Sequence, residues 1–513
     1  MSSELFTTEK HWPLRLLRLD GNNFKSVQRS GPSTYEGTKL PTYNILSYTW
    51  GRWQTKVGEA LPIQNVKWKI PVVARQGFSV EAFAKVVRRV SQGSHVWLDV
   101  GCIDQEDEAV KMGEIGKQAA IFRGAQKAYI WLSHSKRNIL KPFILEVLSR
   151  DARFIDRPWL NKICKGIEII FADPWFSSLW TLQEGFIRLD AIVLFDDASW
   201  LDIPKSESYS ATGGPCTLRD IVKAYEHISS SIRGILQYYP DRLGHEGNNR
   251  ARRVCQRLDE VGIPCLAKSH AIALYGVSSF RNPTRQHDRI YGIMQVFGLV
   301  LGKSAHPHKD FTLSGLEDQL GEAVNKANPV LAQWFIHLDD PRPNRRWCLH
   351  RNMRVYSYSP VVGRALDPPT SYCRITFEPS GGFAKFQGHK ALFGDLTFPL
   401  KFDSVYFDET TENRRKLPAS FFNPDARLGN RTEEVEGALQ KSFGKKTSVL
   451  LIGGLGSPPV WQWLGVIAYP VSVSGYPGKT FWARVGICVW SYHIDQMRYK
   501  LKDLFPKETV YLV

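Results

Sequence analysis

Along the first two hundred residues, short apolar runs alternate with longer amphipathic stretches. Leu14–Leu19 (L-R-L-L-R-L) reads as a short strand, and a polar loop with Gly and Ser follows to about Leu40. Tyr43–Trp50 (Y-N-I-L-S-Y-T-W) is a β-rich run closed by Gly51. Ser79 offers an N-cap to a helix in which Ala82, Phe83, Val86, Val87 and Val90 recur at three and four residues, the spacing of one helical face. His95–Val100 is the next apolar strand. Asp104, Glu106, Asp107 and Glu108 then crowd a helix start, where the macrodipole favours negative charge. That helix runs toward Phe122, and Ala128–Ser133 supplies a third strand. Ile139–Phe171 is mostly helical, a further helix carries Trp180–Glu184, and Ala191–Phe195 is a fourth strand. Short strands alternating with helices require parallel crossovers, so the pattern predicts an open α/β sheet. Ligands of such sheets bind beyond the carboxyl ends of the strands, where Ser47–Trp50, Asp99–Asp104 and the Glu184 helix are placed to converge.

The period changes after about residue 200. Thr217 caps a segment with Leu218, Ile221, Tyr225, Ile228, Ile232 and Ile235 at helical spacing, and helical patterns return over 246–276 and 313–337. From about Trp347 the chain is rich in β-branched and aromatic residues, as in the strand-like run Trp482–Trp490. The expected organisation is an amino-terminal strand and loop (1–40), an α/β domain (41–200), a helical region (201–340) and a β-rich carboxyl-terminal region (341–513).

Composition narrows the function classes. At 513 residues, with 43% hydrophobic and 23% charged residues, the chain is a folded protein of more than one domain. Its first ten residues lack the basic start and apolar run of a secretory signal. The charge-free stretch Thr447–Gly478 is long enough to suggest a membrane span. Pro458-Pro459, Pro470, Pro477 and several glycines interrupt it, so two buried strands around loops are expected. Eight scattered cysteines without a C-x-x-C pair point to reduced thiols in the cytosol or nucleus, and a cytoplasmic setting is the expected one. His306-Pro-His308 has no second ligand pair at metal spacing and reads as a loop. A net charge of +17 gathers in Arg250-Ala-Arg-Arg253 and in Arg342–Arg346, yet no nucleic-acid-binding motif accompanies it, so nucleic acid is not the expected partner.

Most enzyme motifs fail as well. Ser474–Thr480 ends like a phosphate-binding loop, but Val473 stands where a glycine is needed and a strand follows, so Gly475–Gly478 is expected to be a turn. There is no G-x-S-x-G and no H-E-x-x-H. Asp99, Asp104 and Asp107 are carboxylates of the kind that hold magnesium, but helix capping explains Asp104 or Asp107 equally well, while Asp99 at a strand end is harder to explain by capping alone. The segment Asp173–Gly185 (D-P-W-F-S-S-L-W-T-L-Q-E-G) is different. It sets an aromatic ring, Trp180, and a carboxylate, Glu184, four residues apart on one helical face. The competing reading is a capping box, with Thr181 and Glu184 satisfying amides at the helix start.

Three segments taken in order sharpen the picture. They are Tyr43-x-x-Leu46-Ser47-Tyr48-x-Trp50-Gly51, then Trp97-Leu98-Asp99-x-x-Cys102-Ile103-Asp104-Gln105, then Trp175-Phe176-x-x-x-Trp180-Thr181-Leu182-Gln183-Glu184. Together, over about residues 41–200, they resemble the fungal heterokaryon incompatibility (HET) domain. Ile121-Phe122-x-x-Ala125 and Trp131-Leu132 continue the likeness, and His287-Asp288-Arg289-Ile290-Tyr291-Gly292 is similar to a stretch found downstream of such domains. Ser178 departs from the family's usual Arg, and its absence weakens any phosphate or carboxylate contact there. Gly185 stands in place of Leu, and Glu114 and Gln118 replace a Gln and a Met.

HET domains in turn look like distant relatives of Toll/interleukin-1 receptor (TIR) domains that cleave NAD. The resemblance implies a TIR-like (flavodoxin-like) open parallel sheet, followed by the helical and β-rich regions. It implies Glu184 as the catalytic carboxylate against the nicotinamide ribose, with NAD as substrate and no resident cofactor. Trp180, Tyr48 or Trp50 would stack on a base and Ser47 or Asp99 would hold ribose hydroxyls, core packing being the competing role for Trp180. Two functions follow as expectations. One is an NAD-cleaving cell-death effector switched on by self-association or an activating partner protein. The other is a non-catalytic signalling module for non-self recognition, in which the same surfaces assemble and Glu184 only caps its helix.

Overall fold

The computed structural model describes residues 12–149, 155–204, 213–239, 241–267, 271–355, 370–378, 382–422, 428–457, 460–493 and 503–513, and divides into two units, Met1–Leu316 and Glu317–Val513. In the first unit, β1 (Arg15–Asp20) and β2 (Asn23–Ser30) form an antiparallel hairpin, with Gly21 at φ +60° taking the first position of the two-residue turn. Four parallel strands follow in the same sheet: β3 (Tyr43–Ser47), β4 (His95–Trp97), β5 (Ala128–Trp131) and β6 (Ile192–Leu194). The spatial order is β6-β5-β3-β4-β1-β2, with short strands completing the β2 edge.

The sheet is therefore mixed, where an all-parallel one is expected from the pattern. β1 and β2 are two residues apart, far too close for a parallel crossover, and β1 then lies antiparallel against β4. All five residues of β3 are buried, as befits the centre of the parallel set. From β3 the chain passes to β4 on one side, while β5 lies on the other. The carboxyl ends of β3 and β5 thus flank the point where the winding reverses.

The helices explain themselves locally. Ser79 caps α1 (Val80–Ser91) by accepting from Ala82 N at 3.1 Å, and Phe83, Val86, Val87 and Val90 are buried. Asp107 caps α2 (Glu108–Ile115), and the chain kinks at Gly116-Lys117 before α3 (Gln118–Gly124), so the one helix expected there is two. α4 (Arg137–Ser149) and α5 (Arg157–Ile170) precede α6 (Leu179–Ile187), the helix that carries Glu184. Thr217 and Asp220 form a capping box at the start of α7 (Leu218–Tyr238), and α8 (Gly244–Val261) follows.

In the second unit, β7 (Phe383–Leu392), β8 (Ser448–Ser457), β9 (Val460–Val471), β10 (Phe481–His493) and β11 (Lys507–Leu512) pair in sequence and close on themselves through β7 and β8. An odd ring needs one parallel neighbour pair, and β10–β11 supplies it. The charge-free stretch is thus two antiparallel strands, β8 and β9, followed by a turn with Gly475 and Gly478 at φ +86° and +78°. Among the described residues, no helix is long and apolar enough to cross a membrane.

Candidate functional site

The site is assembled where β3 ends. Asp173 accepts from Trp175 N at 3.1 Å and starts a tight turn over Pro174–Ser177, so α6 begins at Leu179 with Ser178 as its N-cap. Thr181 consequently lies one turn inside the helix. Its hydroxyl donates back to the carbonyls of Trp175 (2.5 Å) and Ser178 (3.0 Å), and no capping box with Glu184 forms. The local pattern misleads because the preceding turn sets the helix start three residues early.

Released from capping, Glu184 faces β3. Its Oε2 accepts from Ser47 Oγ at 2.5 Å and its Oε1 from Gln118 Nε2, the first residue of α3, at 3.1 Å. Ser47 Oγ in turn accepts from the indole N–H of the fully buried Trp175 at 2.8 Å. Behind Gln118 lies a chain of buried amides. Gln183 Nε2 donates to Gln118 Oε1 (3.2 Å), Gln183 Oε1 accepts from Gln295 N (3.1 Å), and the Gln295 side chain joins Ala119 N to Ile115 O. Burial pushes the Glu184 carboxyl up to about 8. The Ser47 hydrogen bond opposes this, and the charge of Asp99 adds to it.

Asp99 centres a second cluster. It opens a short helix, Asp99–Cys102, so β4 ends at Trp97 rather than Val100. Its carboxylate accepts from Tyr48 OH (2.9 Å), Trp50 Nε1 (2.7 Å) and Val100 N (2.7 Å). Burial raises its pKa, those hydrogen bonds working against the rise, and raises that of Tyr48 too, with Asp99 as the second cause. Ser47 and Glu184 are thus brought together, as are Tyr48, Trp50 and Asp99, and the charge of Asp99 acting on Glu184 joins the groups. The Trp180 side chain is hydrogen-bonded to Asp288. Asp104 accepts from Glu106 N and Asp107 N, both at 3.0 Å. Among the described residues, no three His, Cys, Asp or Glu side chains are grouped to hold a metal.

Residues 43–184 match the family model described as heterokaryon incompatibility protein (HET). This segment is a HET domain. No curated protein and no solved structure matches the chain.

The HET domain's own departures have structural reasons. At Gly185 a Cβ would meet Trp175 Cη2 at 3.0 Å and Leu218 Cδ2 at 3.1 Å, so the leucine common in the resemblance has no room. Gly185→Leu should destabilise the chain by about 1–3 kcal/mol through overpacking, read as a lower denaturant midpoint. At Ser178 the carbonyl is taken by the buried Arg281, whose Nη1 reaches Trp175 O and Ser178 O, both at 3.3 Å. Arg281, Asp288 and Gln295 all lie downstream of the matched segment yet brace its Glu184 helix. Of these only Asp288 sits in a motif visible in the sequence.

Proposed function

We propose that this HET-domain chain serves heterokaryon incompatibility by cleaving the nicotinamide N-glycosidic bond of NAD, with Glu184 as the catalytic carboxylate of a TIR-like sheet. The observation that supports the reading is the Ser47–Glu184–Gln118 arrangement. A carboxyl group is held by neutral donors, desolvated, at the carboxyl end of a central parallel strand. The order of the four parallel strands, second-first-third-fourth, is also that of flavodoxin-like sheets, whose ligands sit at the reversal point.

The chemistry fits what this carboxyl can do. Departure of nicotinamide leaves oxocarbenium character on the ribose, which an ionised Glu184 stabilises or traps. Nicotinamide leaves neutral, so no general acid is required. With its carboxyl raised to about 8, free Glu184 is largely protonated at neutral pH. A cationic nicotinamide ring brought against it favours ionisation, coupling substrate binding to activation.

The test is nicotinamide release from NAD by concentrated protein across pH 5.5–9.5. Release is expected, with kcat/KM climbing tenfold per unit toward a plateau above about pH 8 and kcat levelling at lower pH. No release at any pH or protein concentration would remove the enzymatic reading. What would remain is the non-catalytic assembly module, working through self-association or a partner protein.

A further inference from the structure

Arg52 follows directly on the β3 segment that carries Ser47, Tyr48 and Trp50. It lies in the tight turn Gly51–Trp53, exposed to solvent, and its guanidinium crosses to the turn that precedes α6. Nη1 donates to Ser177 Oγ at 3.0 Å and Nη2 to Pro174 O at 3.2 Å. Both acceptors are uncharged. Among the described residues no carboxylate oxygen stands within ion-pair distance of Arg52, and Asp173 acts on it only at longer range. Asp173 itself is turned to His134 N, Ser135 Oγ and Trp175 N. A guanidinium has five N–H donors in a planar fork suited to phosphate oxygens, and these contacts use two.

The surroundings hold this cation in place. Trp53 stacks on His134, ring centroids 5.3 Å apart at 23°, and Gly77 packs so closely on Trp53 that a Cβ would stand 2.2 Å from its ring. The turn that Arg52 grips also carries Trp175, whose indole holds Ser47 against Glu184. Arg52 and Glu184 are therefore braced on one small unit. A phosphorylated ligand seated here needs a cation to meet its charge. Ser178 supplies none, and Arg52 reaches the neighbouring residue from the opposite loop.

We propose that Arg52 is the phosphate-binding residue of this site and that its ligand class is a nucleoside diphosphate conjugate, the diphosphate lying on the free edge of the guanidinium. This rests on the reading of Glu184 and its surroundings as a ligand site. It makes the site selective for dinucleotides over unphosphorylated nucleosides.

Calorimetric titration of the full chain with ADP-ribose and with adenosine tests it, using the parent, Arg52→Gln, Arg52→Lys and Glu184→Gln. ADP-ribose binding is expected to weaken about 10–100-fold in R52Q, less in R52K and little in E184Q, with the salt dependence of the parent lost in R52Q. Adenosine binding should be equal in all four. Arg52-dependent ADP-ribose binding without nicotinamide release would uphold the inference and remove the catalytic role of Glu184. Equal ADP-ribose affinity in parent and R52Q, or no ADP-ribose binding by the parent, would overturn it, even with NAD cleavage intact.

Discussion

Glu184→Gln should abolish nicotinamide release, a loss of roughly 10²–10⁴-fold on the scale of a positioned catalytic side chain, while leaving the fold at least as stable. The second half is what makes the first interpretable. A glutamine at 184 can accept from Gln118 through its carbonyl and donate to Ser47 Oγ through its amide, which reverses the Ser47 hydrogen bond but keeps both contacts of residue 184. The substitution removes the ionisable group while keeping its size and shape. Because burial raises the carboxyl from its ordinary value of 4.5 to about 8, the folded chain keeps a proton that the unfolded chain releases between those values. The stability associated with Glu184 is thus fully present below about pH 4.5 and lost as pH rises through about 8. E184Q, which does not titrate, should melt at or above the parent, by a margin that widens from pH 5 to pH 8. Melting curves at both pH values, run beside the activity assay, check this. Lower stability of E184Q at pH 8 would make the side chain structural, and undiminished release would place the chemistry elsewhere.

How much of this was legible in the sequence depends on the range over which each signal acts. Ser79 and Thr217 declare their helices through a hydroxyl and an amide three residues on, and both caps form. The prolines and glycines of Thr447–Gly478 exclude a membrane helix and leave two strands. Local signals fail where a neighbour moves the frame. Thr181 and Glu184 have capping-box spacing, but the turn begun at Asp173 puts the helix start at Ser178. Likewise, β4 ends early because the Asp99 side chain takes Val100 N and starts a helix. The HET-domain motifs brought Ser47 and Glu184 into one site, since each marks a strand end or a helix face. Gln295 had no such signal. It meets Ala119 from 176 residues away, and its buried amide is recognisable only once both segments are folded together. Gln118, noted only as a departure from the family pattern, proves to hold the Glu184 carboxyl. For Trp180, spacing shows the shared helical face with Glu184 but not the hydrogen bond to Asp288, a partner that lies far downstream in the chain.

Arg281→Ala should lower the stability of the chain by about 2–4 kcal/mol, the combined effect of an emptied volume and of buried carbonyls losing their donor. Arg281 is 2% exposed and forms no ion pair among the described residues. Its Nη2 donates to Val261 O at 2.6 Å, the carbonyl that ends α8, and its Nη1 spans Trp175 O and Ser178 O. A cation at the carboxyl end of a helix meets the negative pole of the helix dipole, so these carbonyls together take the place of a carboxylate. Burial first, and the charge of Arg257 second, push the Arg281 pKa down. The guanidinium is retained under electrostatic cost because its planar fork ties the end of one helix to the start of another. Lysine keeps the charge but not the fork, so Arg281→Lys should lose a substantial part of the stability as well. Chemical denaturation of the three proteins measures both losses. Stability of R281A within about 0.5 kcal/mol of the parent, the range of an ordinary surface change, would show that the Glu184 helix does not depend on this contact. A loss in R281A accompanied by weaker ADP-ribose binding would show that the turn held by Arg52 is itself set from downstream. The functional site would then extend past the matched segment to residues that hold it without touching ligand.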